Sequence, residues 1–217
     1  MGLDMYLYAE RKLDISALPE SLILEARGNP EDGAYTSGYS FQDENEQQMY
    51  RSVVQLSGMS EFASKDTPSA TVYHDRIQVV VAYWRKANAI HRWFVLECQG
   101  GVDECQTSDP IPMAKLEELI SICESVIQHS ETFDGPVVTG HVFKDGEPLK
   151  PVFKNGQILS DASRAIAASK LPTSSGFFFG STDYDEYYIE DLKRTISELS
   201  KLRAAPEGTI FRYRASW

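Results

Sequence analysis

Tyr83 to Val95, reading YWRKANAIHRWFV, constrains this chain more than any other stretch. It carries two of the three tryptophans, together with Arg85, Lys86, His91, Arg92 and Asn88. At helical spacing Tyr83, Ala87, Ile90 and Phe94 fall at i, i+4, i+7 and i+11, an apolar stripe that would face a core. A neighbouring stripe, Trp84, Asn88, His91 and Val95, mixes aromatic surface with hydrogen-bonding groups. The spacing therefore predicts one helix with a packing side and a side that presents stacking and cationic chemistry.

At 217 residues, 42% hydrophobic and 24% charged, the chain suits a single globular domain with a real core. No apolar run approaches the ~18 residues a membrane span needs, and the first residues lack the pattern of a secretion signal. The expectation is a cytoplasmic protein without a membrane partner. The formal net charge of −11 disfavours direct nonspecific binding to nucleic acid, because the mean field repels phosphates. Cys98, Cys105 and Cys123 are odd in number and lack metal-ligand spacing, so they read as reduced thiols.

Along the chain, Leu3–Tyr8 reads as a strand containing Asp4, and residues 17–26 as a short helix ended by Gly28-Asn29-Pro30. Residues 29–76 read as mostly irregular, with a short helix around Met49–Met59. Ile77–Val81 is a β-branched run that fits a strand or the buried entrance of the central helix. A helix from Met113 to about Gln128 places Leu116, Leu119, Ile120, Cys123 and Ile127 on its apolar face. Residues 137–143 and 150–159 look like strands broken at Asp145-Gly146 and Asn155-Gly156, giving a three-strand excursion at about 134–160, a candidate insertion. A short helix, Asp161–Lys170, precedes Gly176–Gly180, which reads as a buried strand. Asp183 and Glu186 match a capping box for the last helix, and Thr209–Trp217 reads as a final strand. Helices and strands interspersed with hairpin signals predict an α+β fold with a mainly antiparallel sheet.

Two constellations carry possible chemistry. Tryptophan and tyrosine faces stack on nucleobases, Arg and Lys neutralise phosphates, and Asn reads a base edge. Trp84, Arg85, Lys86, Asn88 and His91 thus form a candidate ligand wall, with Tyr184 and Tyr187 opposite. The same residues also read as an ordinary packed helix with a solvated basic face. His91 would serve as a general base, but no nucleophile stands in a recognisable setting. The second constellation is the acidic run Asp183–Asp191. It reads as helix-dipole complementation, or as a hard-cation site in which Asp183 and Asp185 join Asp4. No phosphate-binding glycine loop or metal-spaced His/Cys motif is present, so no cofactor is expected.

Three segments, MGLDMYLY, YWRKANAIHRWFV and GFFFGSTDYDEYYIEDLKRTI, with the C-terminal FRYRASW, resemble a group of phage- and prophage-encoded proteins. The resemblance spans most of the chain except residues 29–76 and about 134–160, and it carries over no catalytic or binding residue. It implies an accessory phage protein acting in the bacterial cytoplasm. Three functions follow as expectations: binding without turnover of a nucleotide-like small molecule or signal, to counteract a host defence system; inhibition of a host nucleic-acid-handling protein through the acidic surface; or metal-dependent phosphoester hydrolysis.

Overall fold

The computed structural model describes residues 2–12, 34–36, 44–73, 75–142, 150–176 and 179–217. Its strands are β1 (Asp4–Lys12), β2 (Ala34–Thr36), β3 (Ala70–Tyr73), β4 (Arg76–Arg85), β5 (Thr132–Val142), β6 (Lys150–Leu159) and β7 (Ile210–Ser216). Its helices are α1 (Glu44–Leu56), α2 (Asn88–Cys98), α3 (Met113–Gln128), α4 (Asp161–Lys170) and α5 (Glu186–Ser200), the last running into a 3-10 turn. The expected helix over residues 17–26 lies outside the described residues.

The fold is α+β, and every strand pairing described is antiparallel. One sheet has the order β2-β3-β4-β1-β7, and β5 with β6 forms a separate two-stranded ribbon. Period-2 alternation divides the large sheet into two faces. Met5, Leu7 and Ala9 of β1, Ala82 and Trp84 of β4, and Phe211, Tyr213 and Ala215 of β7 point into one core cluster with α2, α3 and α5. Asp4, Tyr6, Tyr8, Tyr83, Arg85, Arg212 and Arg214 alternate onto the other face. The register of β1 against β4 shifts between Leu7 and Tyr8, where Val81 is the extra residue. The bulge lets Val79, Val81 and Ala82 all enter the core.

The stretch from Tyr83 to Val95 is not one helix. Tyr83, Trp84 and Arg85 finish β4, and the helix begins at Asn88. The β-branched run Ile77–Val81 is a strand: β3 pairs with Ile77–Val79 on one side, and on the other the pairing with β1 continues to Arg85 opposite Asp4. Ala87, Ile90 and Phe94 do keep the expected apolar stripe and are buried, whereas Tyr83 lies on the opposite sheet face.

Three further expectations change. Asn155-Gly156 is no turn: β6 runs through it, pairing Gly156 with Gly135 and Asn155 with Pro136. Gly156 is needed for close approach, since a Cβ there would lie 2.6 Å from Glu186 Oε2 and 2.9 Å from Val137. The excursion is therefore two strands; its other break lies within residues 143–149, outside the described set. Gly176 and Phe179 are not in a strand, but are joined by the turn Phe179 N–H to Gly176 C=O. The cap of α5 is Asp185, whose Oδ1 accepts from the amides of Tyr187 (2.9 Å) and Tyr188 (3.2 Å). Asp183 instead hydrogen-bonds Ser181, two residues too early to cap.

At the centre of the core Phe94 stacks on Tyr213, centroids 4.1 Å apart and planes 5° from parallel. Phe94→Ala is expected to lower unfolding free energy by ~3–5 kcal/mol. The ribbon residue Phe153 is 56% exposed, and Phe153→Ser is expected to stay within about 0.5 kcal/mol. Urea denaturation of both variants compares the two.

Candidate functional site

A cavity of about 860 Å³ opens where four segments meet. The β4–α2 corner supplies Arg85, Lys86, Asn88 and Ala89, and the ribbon supplies Val138, Thr139, Gly140 and Pro151. The segment before α5 gives Thr173, Gly176 and Gly180–Asp183, while α5 and its cap give Asp185, Tyr187, Tyr188, Glu190 and Asp191. The size suits a small-molecule ligand.

The corner sits there because a strand and a helix are joined by only two residues. Lys86 turns the chain with φ 61°, a left-handed conformation that a side chain with a Cβ seldom adopts. Its amide donates to Leu3 C=O (2.8 Å) and its carbonyl accepts from Asn88 N–H (2.8 Å), so the turn is held from both sides. Gly180, with φ 87°, packs against it, and a Cβ there would stand 3.2 Å from Lys86 Cβ. Backbone strain persists only where the surroundings impose it, and here it lies in the wall of a cavity.

Asn88 fixes the opposite wall. Its buried amide nitrogen donates to Phe179 C=O (3.0 Å) and Ser181 C=O (2.7 Å), and its oxygen accepts from Ser174 N–H (3.0 Å). Asn88 lines the cavity, but its donors and acceptor are committed to the backbone of the loop before α5.

Two other members of the expected wall are core residues. Trp84 is 1% exposed, and its indole N–H donates to Thr195 Oγ1 at 3.0 Å. Strand parity points it inward, beside Phe94. His91 is buried, with Nδ1 2.8 Å from Tyr213 Oη and Nε2 3.0 Å from Asp103 Oδ2. Both ring nitrogens are therefore engaged, one with the phenol and one with the carboxylate. Burial drives the Tyr213 hydroxyl far above its ordinary value, so it keeps its proton. His91 is thereby occupied on both nitrogens and does not line the cavity.

Arg85, Lys86 and Tyr187 do reach the cavity. Tyr184 does not; its ring meets Tyr188 edge-on at 4.9 Å, and its hydroxyl accepts from Thr173 N–H. Asp4 is also elsewhere, accepting from Tyr83 Oη at 2.5 Å with Arg85 Nε 3.9 Å away. It therefore does not join Asp183 and Asp185. Among the described residues no group of three or more His, Cys, Asp or Glu side chains is placed to hold a metal ion.

Two cations, Arg85 and Lys86, face four carboxylates in the lining: Asp183, Asp185, Glu190 and Asp191. Burial raises Asp191 from 3.8 to about 7, against the pull of Arg194 and with help from Glu190 and Asp185. Asp185 is raised too, chiefly by burial, although the two capped amides oppose it. Its Oδ2 has no hydrogen-bond partner among the described residues. Glu186 turns away from the cavity to Lys154 (2.6 Å) and the Gln157 amide (2.9 Å), and Lys154 holds its carboxyl below the usual range. That pair clamps the ribbon on α5. Of the residues singled out from the sequence, Arg85, Lys86, Asn88, Tyr187, Asp183 and Asp185 line this cavity; the ribbon wall carried no sequence signal, and Asp191 read only as part of the acidic run.

No protein-family model, curated protein or solved structure matches this chain.

Asn88→Ala is expected to cost roughly 1–3 kcal/mol for each backbone group left unpaired. The Ser174 amide should lose hydrogen-exchange protection while core amides of β1 keep theirs. Asp191 gives a second outcome. Because its folded pKa is above the unfolded one, the native state binds more protons between pH 3.8 and about 7, and stability falls as pH rises through that window. Asp191→Asn should remove this downward component, so that denaturation midpoints of variant and wild type diverge as pH increases, with the variant the more stable above pH 7.

Proposed function

We propose that the protein binds a nucleotide-like small molecule in this cavity without turning it over. The observation that carries the reading is the make-up of the lining: Arg85 and Lys86 come from the β4–α2 corner, and Asp185, Glu190 and Asp191 from α5 and its cap. A ligand complementary to both has an anionic group at one end and hydrogen-bond donors at the other. A nucleotide has this form, its phosphate meeting the cations and its amino or imino edge meeting the carboxylates. Thr173, Ser181 and Thr182 add hydroxyls, and the half-exposed Tyr187 ring adds stacking surface.

The biological setting follows from the phage resemblance: an accessory protein in the bacterial cytoplasm that withdraws a nucleotide signal from a host defence system. Inhibition of a host protein through the acidic run has less support, because Asp185 caps α5, Asp191 is largely buried and Glu186 is paired with Lys154. Phosphoester hydrolysis would require carboxylates gathered around a cation, and Asp4 lies apart from Asp183 and Asp185.

Calorimetric titration with AMP, GMP, CMP and UMP tests the reading. At least one is expected to bind, and Arg85→Gln or Lys86→Gly to weaken it about ten-fold, the loss expected of one charge-assisted hydrogen bond. Lys86→Gly removes the charge while accepting the left-handed turn, so loss of affinity would not reflect loss of fold. Absence of binding by all four nucleotides, or affinities that both variants leave unchanged, overturns the proposal.

A further inference from the structure

We infer that the ligand continues out of the cavity and onto the sheet face opposite the core, making it a short oligonucleotide with one unit in the cavity and the next base on a tyrosine platform. The inference rests on the nucleotide reading of the cavity and extends it to a second subsite.

Arg85 joins the two places. It lines the cavity from the end of β4, yet its side chain is 60% exposed and reaches within 3.9 Å of Asp4 Oδ1 on the sheet face. Asp4 in turn accepts from Tyr83 Oη, and the Tyr83 ring lies 5.4 Å from that of Tyr6 on the adjacent strand. Tyr8 continues the row, its ring 6.1 Å from Tyr6 and inclined by 27°. None of these tyrosines belongs to the core cluster. Tyr6 and Tyr83 are partly exposed and lie between the exposed Arg85 and Arg214, while Tyr8 is more deeply buried; partly exposed rings on an antiparallel sheet are stacking platforms for unpaired bases.

Arg214 closes the path. It pairs in register with Tyr6 across β1 and β7, is exposed, and donates through Nε to Cys105 C=O. Arg85 pairs with Asp4 on the other side of β1, so the two arginines sit two strands and two residues apart, about 12 Å by strand geometry. A dinucleotide backbone bridges such a span, with phosphates near either guanidinium and a base over Tyr6. Among the described residues Asp4, the carboxylate between Arg85 and Tyr6, is engaged by Tyr83 and Arg85. Length is limited by the rest of the molecule: a chain of net charge −11 repels a long polyanion once it leaves these arginines.

The test compares pA with pApA, pG with pGpG, and pApA with a twelve-residue oligoadenylate, by calorimetry at fixed salt on wild type, Tyr6→Leu and Arg214→Gln. In the wild type the dinucleotide is expected to bind about ten-fold or more tightly than its mononucleotide, the gain of one stacked base. The ratio should collapse toward one in either variant, and the twelve-residue strand should gain nothing over pApA. Equal affinities for mono- and dinucleotide, or a gain that survives both substitutions, overturn the second subsite and leave the cavity reading standing. A long strand that binds tighter than the dinucleotide overturns the length limit. Binding of neither mono- nor dinucleotide overturns the cavity reading itself. Arg214 is exposed, so its variant reports even where Tyr6→Leu disturbs the sheet.

Discussion

The conflict between β4 and α2 governs this molecule. Strand pairing to β1 claims the backbone as far as Arg85. The buried amide of Asn88, tied to three backbone groups of a distant loop, fixes the start of the helix two residues past Lys86. Only a left-handed residue joins the two in so little chain, and Lys86 takes that conformation. Trp84 is sent into the core, Arg85 onto the opposite sheet face and Lys86 into the cavity. The same hinge therefore sets the packing of the core and the charge of the site.

Burial then shapes the chemistry. Asp185 and Asp191 are withdrawn from water, whereas Glu190 stays exposed, and burial raises Asp191 toward neutrality. A helix N-terminus ordinarily stabilises nearby acids. Here Asp185 uses one oxygen for that purpose and keeps the other without a hydrogen bond among the described residues. An acidic chain thus presents, at one place, two exposed cations beside carboxylates that favour a donor. That combination selects ligands by charge distribution rather than by net charge.

Much of the architecture was legible in the residues because local pattern and tertiary environment agree. Helix α3 spans Met113–Gln128 and α4 spans Asp161–Lys170, as their apolar spacing and end signals indicate. Alternation in Phe211, Tyr213 and Ala215 gave the last strand and its inward face. Where pattern and environment disagree, the local signal misled. Tyr83-Trp84-Arg85 fits a helical stripe, but antiparallel pairing with Asp4, Met5 and Tyr6 of β1 outweighs it. Asn155-Gly156 carries the chemistry of a tight turn, yet its glycine serves the close approach of Glu186. The capping acid moved from Asp183 to Asp185 because the strand bridge of Ile158 with Asp185 holds the chain extended until the helix starts.

The sequence by itself determined the class of fold, the main apolar faces and the concentration of basic and aromatic residues between Tyr83 and Val95. These depend on period and composition, which act over a few residues. Which of those side chains face a ligand was decided only by the tertiary structure. Trp84 and His91 carry suitable chemistry, but strand parity and the partners Thr195, Tyr213 and Asp103 bury them. Val138, Thr139 and Pro151 carry none of note, yet they wall the cavity because Glu186 and Lys154 clamp the ribbon there. A side chain's accessibility depends on what packs over it from far along the chain, and no local pattern encodes that.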